Sequence, residues 1–149
     1  MNIKHITSTI TKTEQSLSVL PLRIIAGLLF TAHGAQKLFA WFGGYGLEGT
    51  GQWMESIGLA PGYLMALMAG SAEFFGGLLL IIGLLTRPTS FVLAITMIVA
   101  IFTVHIDNGL FMTSNGYEFA LALLAISTSL IFSGAGKLSL DNAVAQRLA

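Results

Sequence analysis

The chain has 149 residues, of which 54% are hydrophobic and only 9% charged, with a net charge of zero and no cysteine. A soluble domain carries roughly 25% charged residues, so this composition indicates a one-domain integral membrane protein whose principal partner is the lipid bilayer. The balanced charge and the absence of a basic stripe exclude nucleic acid as a partner, and the lack of cysteine excludes disulfides, cysteine-ligated iron–sulfur clusters and cysteine-based zinc sites within this chain.

Residues 1–19 are polar and Thr/Ser-rich and read as an N-terminal tail, with room for a short helix on the membrane surface. They do not read as a cleaved signal peptide, because the apolar run behind them is too long and ends in no small-residue cleavage site. Four apolar segments follow. The first runs from Leu20 to Phe42, with Pro21 acceptable in a first helical turn. The second, around Leu64 to Leu85, is entered through Pro61 and Tyr63. The third runs from Pro88 to His105 and the fourth from Tyr117 to Ala135. Each is about as long as the helix of ~20 residues that crosses a hydrocarbon core.

The connections differ. Between the first and second segments lies GGYGLEGTGQWMESIGLAPG, whose glycines predict an irregular start and a short interfacial helix over Gln52–Ile57. Trp41, Phe42, Tyr45 and Trp53 stand where an aromatic belt belongs. Thr86-Arg87-Pro88 reads as a tight turn, and IDNGLFMTSNG carries turn chemistry at Asp107-Asn108-Gly109 and Asn115-Gly116. Residues 142–149 read as a C-terminal tail. Lys4, Lys12, Arg23, Arg87, Lys137 and Arg147 fall on one side of a four-span model and only Lys37 towards the other. By the positive-inside rule both termini are cytoplasmic. The expected fold is an all-α, integral membrane four-helix bundle spanning residues 20–141, in a bacterial inner membrane.

The second segment carries one ionisable residue, Glu73, near its middle. A carboxylate there costs roughly 2.5–3.5 kcal/mol on insertion scales, so it is expected to face protein. At about 100° per residue, Ala66, Ala69, Gly70, Gly76 and Gly77 share its azimuth, whereas Leu64, Leu67, Phe75, Leu78 and Ile82 lie opposite. Small residues suit helix contacts and large aliphatic ones suit lipid. In the first segment Arg23, Gly27, Gly34 and Lys37 share a face bordered by His33. In the fourth, Glu118, Ala122, Ala125, Ser129 and Gly136 share one. Stacked by depth at ~1.5 Å per residue, these residues form a polar shaft. His33 pairs with Glu73 in its middle, Lys37, Glu118 and His105 lie above, and Arg23 closes it below.

Each residue also has a plainer role. Arg23, Lys37 and Lys137 suit snorkelling at helix ends. Glu118 suits the dipole of its helix. His105 suits a surface hydrogen bond, and His33–Glu73 suits a structural pair that fixes helix register. A haem held by His33 and His105 is disfavoured, since their heights differ by about a turn and a half.

Arg23 through Lys37 (RIIAGLLFTAHGAQK), Glu73 through Arg87 (EFFGGLLLIIGLLTR), His105 with Asn108-Gly109, Asn115-Gly116-Tyr117-Glu118 and the closing GAGKLSLD (Gly134–Asp141) occur in this order. In that combination the chain resembles the DoxX family of small four-helix membrane proteins. One departure is Ala135, where the family's closing motif often has proline. The resemblance implies an accessory or quinone-facing subunit of a membrane redox system, not an enzyme alone. Its ligand would be a quinone or quinol, no cofactor would be covalently held, and a protein partner would supply the redox centre. A homo-oligomer is compatible with this. On that reading Glu73 and His33 handle protons, while Arg23, Lys37, His105 and Glu118 bind the ligand, and no metal takes part. The alternatives are an assembly scaffold without a ligand, and a small-solute or proton carrier. The carrier is disfavoured by the lack of a broken helix or an inverted repeat.

Overall fold

The computed structural model describes residue 13 and residues 16–148; the expected N-terminal surface helix lies outside these residues. Among the described residues all regular structure is helical. We number the α-helices α1 (Val19–Phe39), α2 (Gly46–Ser56), α3 (Gly62–Ile82), α4 (Thr86–Ala100), α5 (Glu118–Ser133) and α6 (Leu140–Leu148). Helix α4 continues through a π turn, Ile101–His105, and a 3-10 turn, Ile106–Asn108. Three helical stretches are long and apolar enough to cross a membrane: Val19–Phe39, Gly62–Ile82 and Thr86–Asn108. Helix α5 is equally apolar but has 16 residues, about 24 Å at 1.5 Å per residue against a core of about 30 Å.

Helices α1 and α3 form the most extensive contact, followed by α4 with α5; α3 also packs on α4 and α1 on α5, which closes a ring of four. Lipid offers no hydrophobic drive for helix association, so close approach of small residues must supply it. The α1–α3 seam is built this way. A Cβ on Gly34 would lie 2.6 Å from Phe74 Cα, one on Gly27 2.8 Å from Gly77 O, and one on Gly70 2.7 Å from Leu38 Cδ2. The pairings fall along α3 as they rise along α1, so the two helices are antiparallel. The expected faces of α3 hold: Ala66, Gly70, Glu73, Gly76 and Gly77 are buried, and Leu64, Leu67, Phe75, Leu78 and Ile82 are exposed. The core of Phe30, Leu80, Leu93, Met97, Leu123 and Leu130 fills the ring.

Four expectations need correction. The glycine-rich loop is helical from Gly46, not only from Gln52. Its glycines serve both freedom and packing: Gly43, Gly46 and Gly58 take left-handed backbone, a Cβ on Gly51 would lie 2.9 Å from Tyr63 Cα, and the Gly62 N–H donates to the Glu55 carboxylate. The turn before α4 is Gly83-Leu84-Leu85, with Gly83 and Leu85 left-handed at φ 68° and 51°; Thr86-Arg87-Pro88 is already the first turn of α4. Most of the expected C-terminal tail belongs to helix α6. On α5 the buried residues are Ala120, Leu123, Ser127 and Leu130, while Ala122, Ala125 and Ser129 are exposed. The Glu118 charge was a poor guide to that face, because its carboxylate turns back to the preceding loop. Gly136 lies beyond α5, in a left-handed turn at φ 79°.

The reason α4 starts early is a long-range cap. The Asp141 carboxylate, 1% exposed, accepts from Leu85 N at 2.8 Å and Thr86 N at 2.9 Å. These are N–H groups that a helix start leaves unsatisfied. The Asp141 N–H donates to Gly83 O at 2.9 Å. Arg23, 2% exposed, lies within electrostatic reach of Asp141. Its guanidinium donates to Ala135 O at 2.5 Å and Leu138 O at 2.7 Å. Arg87 donates to Ile131 O and Phe132 O, both at 2.8 Å, satisfying the last carbonyls of α5. Arg23 and Asp141 thus clasp the segment after α5 to the ends of α1, α3 and α4.

Two outcomes are expected. Gly34→Ala should lower stability by about 1–3 kcal/mol, since its Cβ meets backbone that must shift; unfolding in detergent checks this, and an unchanged midpoint would contradict the seam. Asp141→Ala should cost about 1–3 kcal/mol, because the N–H groups of Leu85 and Thr86 lose their buried acceptor. A loss within a few tenths of a kcal/mol, measured the same way, would show that the clasp is superficial.

Candidate functional site

Two helices bring ionisable side chains together inside the span. Lys37 Nζ lies 2.6 Å from Glu73 Oε2. The carboxylate is 4% exposed overall and the lysine is partly buried. This replaces the expected His33–Glu73 pair at the centre of the shaft. The cause is side-chain direction. On every helix the Cα–Cβ bond tilts towards the helix N-terminus. Because α1 and α3 run antiparallel, Lys37 leans down towards the midplane and Glu73 leans up to meet it. Cα heights alone place Lys37 about one turn too high.

His33 stays beside the pair. It lies within electrostatic reach of both Lys37 and Glu73. Its ring stands 5.6 Å from that of Phe119 on α5, tilted by 50°. Lys37, Glu73 and His33 are therefore one cluster, with His33 as its third member. Along the outer side of the same seam a chain of rings runs from Trp41 and Phe39 through Phe74 to Phe75. Phe39–Phe74 centroids are 5.1 Å apart, and Phe74–Phe75 are 5.2 Å apart, both edge to face. Trp41, Phe39 and Phe75 are exposed on the outer surface of the bundle.

The upper layer of the shaft does not form. Glu118 Oε1 accepts from Met112 N at 2.6 Å, and His105 Nδ1 hydrogen-bonds Asn115 O at 2.8 Å. Both residues fold the loop between α4 and α5, where Asn108 Nδ2 also donates to Val104 O at 2.9 Å. His33 and His105 serve different neighbours. Arg23 sits at the opposite end from Lys37, in the Asp141 clasp. Among the described residues no group of three or more His, Asp or Glu side chains is placed to hold a metal ion.

Sequence reasoning missed Asp141 and Arg87. Asp141 follows a Gly/Ser-rich stretch just past the last apolar helix, where an acidic residue usually faces water. Its only sequence signal is its place at the end of the closing motif. Arg87 was counted as a basic residue of a loop; its neighbour Pro88, acceptable in a first helical turn, was the signal that the helix begins there.

The cluster can donate and accept protons within the apolar span. A lysine ammonium offers three donors, a carboxylate only acceptors, and a neutral imidazole one of each. Such a set suits an oxygen-bearing ligand of the membrane interior.

A family model, DoxX, matches residues 18–106. The chain is 38% identical over 128 residues to an uncharacterized protein of Haemophilus influenzae, covering 81% of this chain and 86% of that one. It is 37% identical over 125 residues to CatD of Bacillus subtilis, by name a proposed oxidoreductase, covering 84% and 85%. It is 31% identical over 136 residues to the inner membrane protein YqjF of Escherichia coli, covering 87% and 94%. No solved structure matches it. With its apolar helices, its buried intramembrane charges and these relatives, the chain belongs to the DoxX family and is a multi-pass protein of the bacterial inner membrane.

Proposed function

We propose that this protein is an accessory subunit of a membrane redox system and binds a quinone or a similar aromatic molecule beside Lys37 and Glu73. The observation that carries the reading is the 2.6 Å ion pair, set within apolar helices and flanked by exposed rings. Ionisable residues inside a membrane are costly and mark functional sites. The oxidoreductase name of CatD supports a redox context. The chain has no cysteine, so a protein partner supplies the electrons.

On this reading each residue has one task. The aromatic edge of Phe39, Phe74 and Phe75 receives a ring arriving from the lipid. Lys37 donates to a carbonyl oxygen of the ligand. Glu73 and His33 pass the protons that accompany reduction; a quinone takes up two electrons and two protons. The arrangement of the chain in the membrane is part of the proposal: α5 forms a fourth span and both termini are cytoplasmic. The Arg23 clasp and Arg87 stand at one end of the bundle and Lys37 towards the other, which fits the basic asymmetry of the sequence. A second reading, an assembly scaffold, is favoured by the fact that Lys37 and Glu73 satisfy each other, as a structural pair would.

Glu73→Gln should retain the fold and reduce quinone co-extracted with the detergent-purified protein at least tenfold. Glu73→Leu combined with Lys37→Met should fold as well as the parent, because an apolar replacement of a buried pair is often neutral, and should also lose the quinone. Chromatography of the extract decides. Parent protein that carries no quinone when purified from quinone-containing membranes would leave the scaffold. For the topology, a reporter fused after Ala149 should be active only in the form that works in the cytoplasm; periplasmic activity would overturn the arrangement.

A further inference from the structure

The Arg23 half of the bundle holds a second polar feature that the ion pair does not use. Among the described residues, four buried side-chain atoms have no hydrogen-bond partner: Arg23 Nε, Thr86 Oγ1, Ser90 Oγ and Ser127 Oγ. Thr86, Ser90 and Ser127 are 0% exposed and Arg23 is 2% exposed. A hydroxyl in a helix often back-bonds to a carbonyl one turn earlier, as the part-buried Thr31 and the more exposed Thr96 and Thr128 do here. Ser90 and Ser127 do not, although leaving such a group unpaired carries a full desolvation cost.

The four atoms come from three helices and share one region. Arg87 on α4 grips Ile131 and Phe132 on α5, which sets the antiparallel register of the two helices. In that register Ser90 stands opposite Ser127 to within about a turn. Thr86 lies one turn before Ser90 on the same buried face. Arg23 reaches this level from α1: a Cβ on Gly83 would lie 2.8 Å from Arg23 Cζ, and Gly83 O accepts from Asp141, which caps Thr86.

We propose that these atoms line a closed polar chamber between α1, α4 and α5 that holds bound water. Three hydroxyls and one N–H offer both donors and acceptors, and a buried water needs two to four such partners. An anion fits less well, because Asp141 already balances the charge of Arg23. One turn above the serines stand Leu93 on α4 and Leu123 on α5, with Phe30 of α1 beside them, all at most 3% exposed. This apolar layer separates the chamber from Lys37 and Glu73. The water therefore ties three helices together and gives the ion pair no proton route from the Arg23 side.

Ser90→Ala and Ser127→Ala, made in the full-length protein, test the chamber. With shared water, each should lower the melting temperature by about 2–4 °C, and the double variant should fall no further than the larger single loss, since both remove the same bridge. A structure that resolves ordered solvent should show water within hydrogen-bond distance of both serines. Unchanged or raised melting temperatures would show that the hydroxyls are dry and unpaired, and strictly additive losses would show two unconnected sites. Either result, or a solvent-resolving structure without that water, overturns the proposal.

Discussion

The contact between α1 and α3 is the constraint on which the structure depends. In lipid there is no water to drive two apolar helices together, so their backbones must come close enough for dispersion and local dipoles to hold them. Gly27, Gly34, Gly70 and Gly77 permit that approach. The same closeness brings Lys37 within 2.6 Å of Glu73. A wider seam would leave two buried charges apart, at a cost that neither helix could offset. Packing and chemistry are thus consequences of one stripe of small residues.

The two ends of the bundle use charge differently. At the Arg23 end, Asp141 and Arg87 satisfy backbone groups that helix termini leave open, and Arg23 holds the carbonyls of Ala135 and Leu138 in the segment after α5. Their hydrogen bonds to Ala135, Leu138, Leu85, Thr86, Ile131 and Phe132 are all to backbone, which suits a fixed clasp. Towards the other end, Lys37 and Glu73 meet side chain to side chain, with His33 alongside. Side chains that satisfy one another, and not the backbone, can exchange partners without unwinding a helix. That difference is why the ion pair, and not the clasp, is the candidate for ligand chemistry.

Much of this was legible in the sequence. The 3.6-residue periodicity of α3 separated its buried small face from its exposed large one, because in a membrane size and lipid exposure go together. The same logic failed on α5. There the packed face carries Leu123 and Leu130, and the small residues Ala122, Ala125 and Ser129 face outward. Charge does not mark the inward face there, because Glu118 sits at the helix start and binds a loop N–H. The identity of the partner of Glu73 was missed by one turn, since sequence spacing gives Cα height and not the direction in which a long side chain leans. The Asp141 cap was missed because it joins residues far apart in the chain, and no local pattern announces such a bond.

Lys37 and Glu73 form an ion pair across the α1–α3 seam, and a charge exchange probes it. Lys37→Glu and Glu73→Lys are made separately and together, and each protein's melting temperature is measured in the same detergent. Each single exchange, which places like charges at the buried seam, should lower the melting temperature by many degrees or prevent folding. The double exchange should recover most of the loss. A double variant no better than the worse single one would contradict the pair.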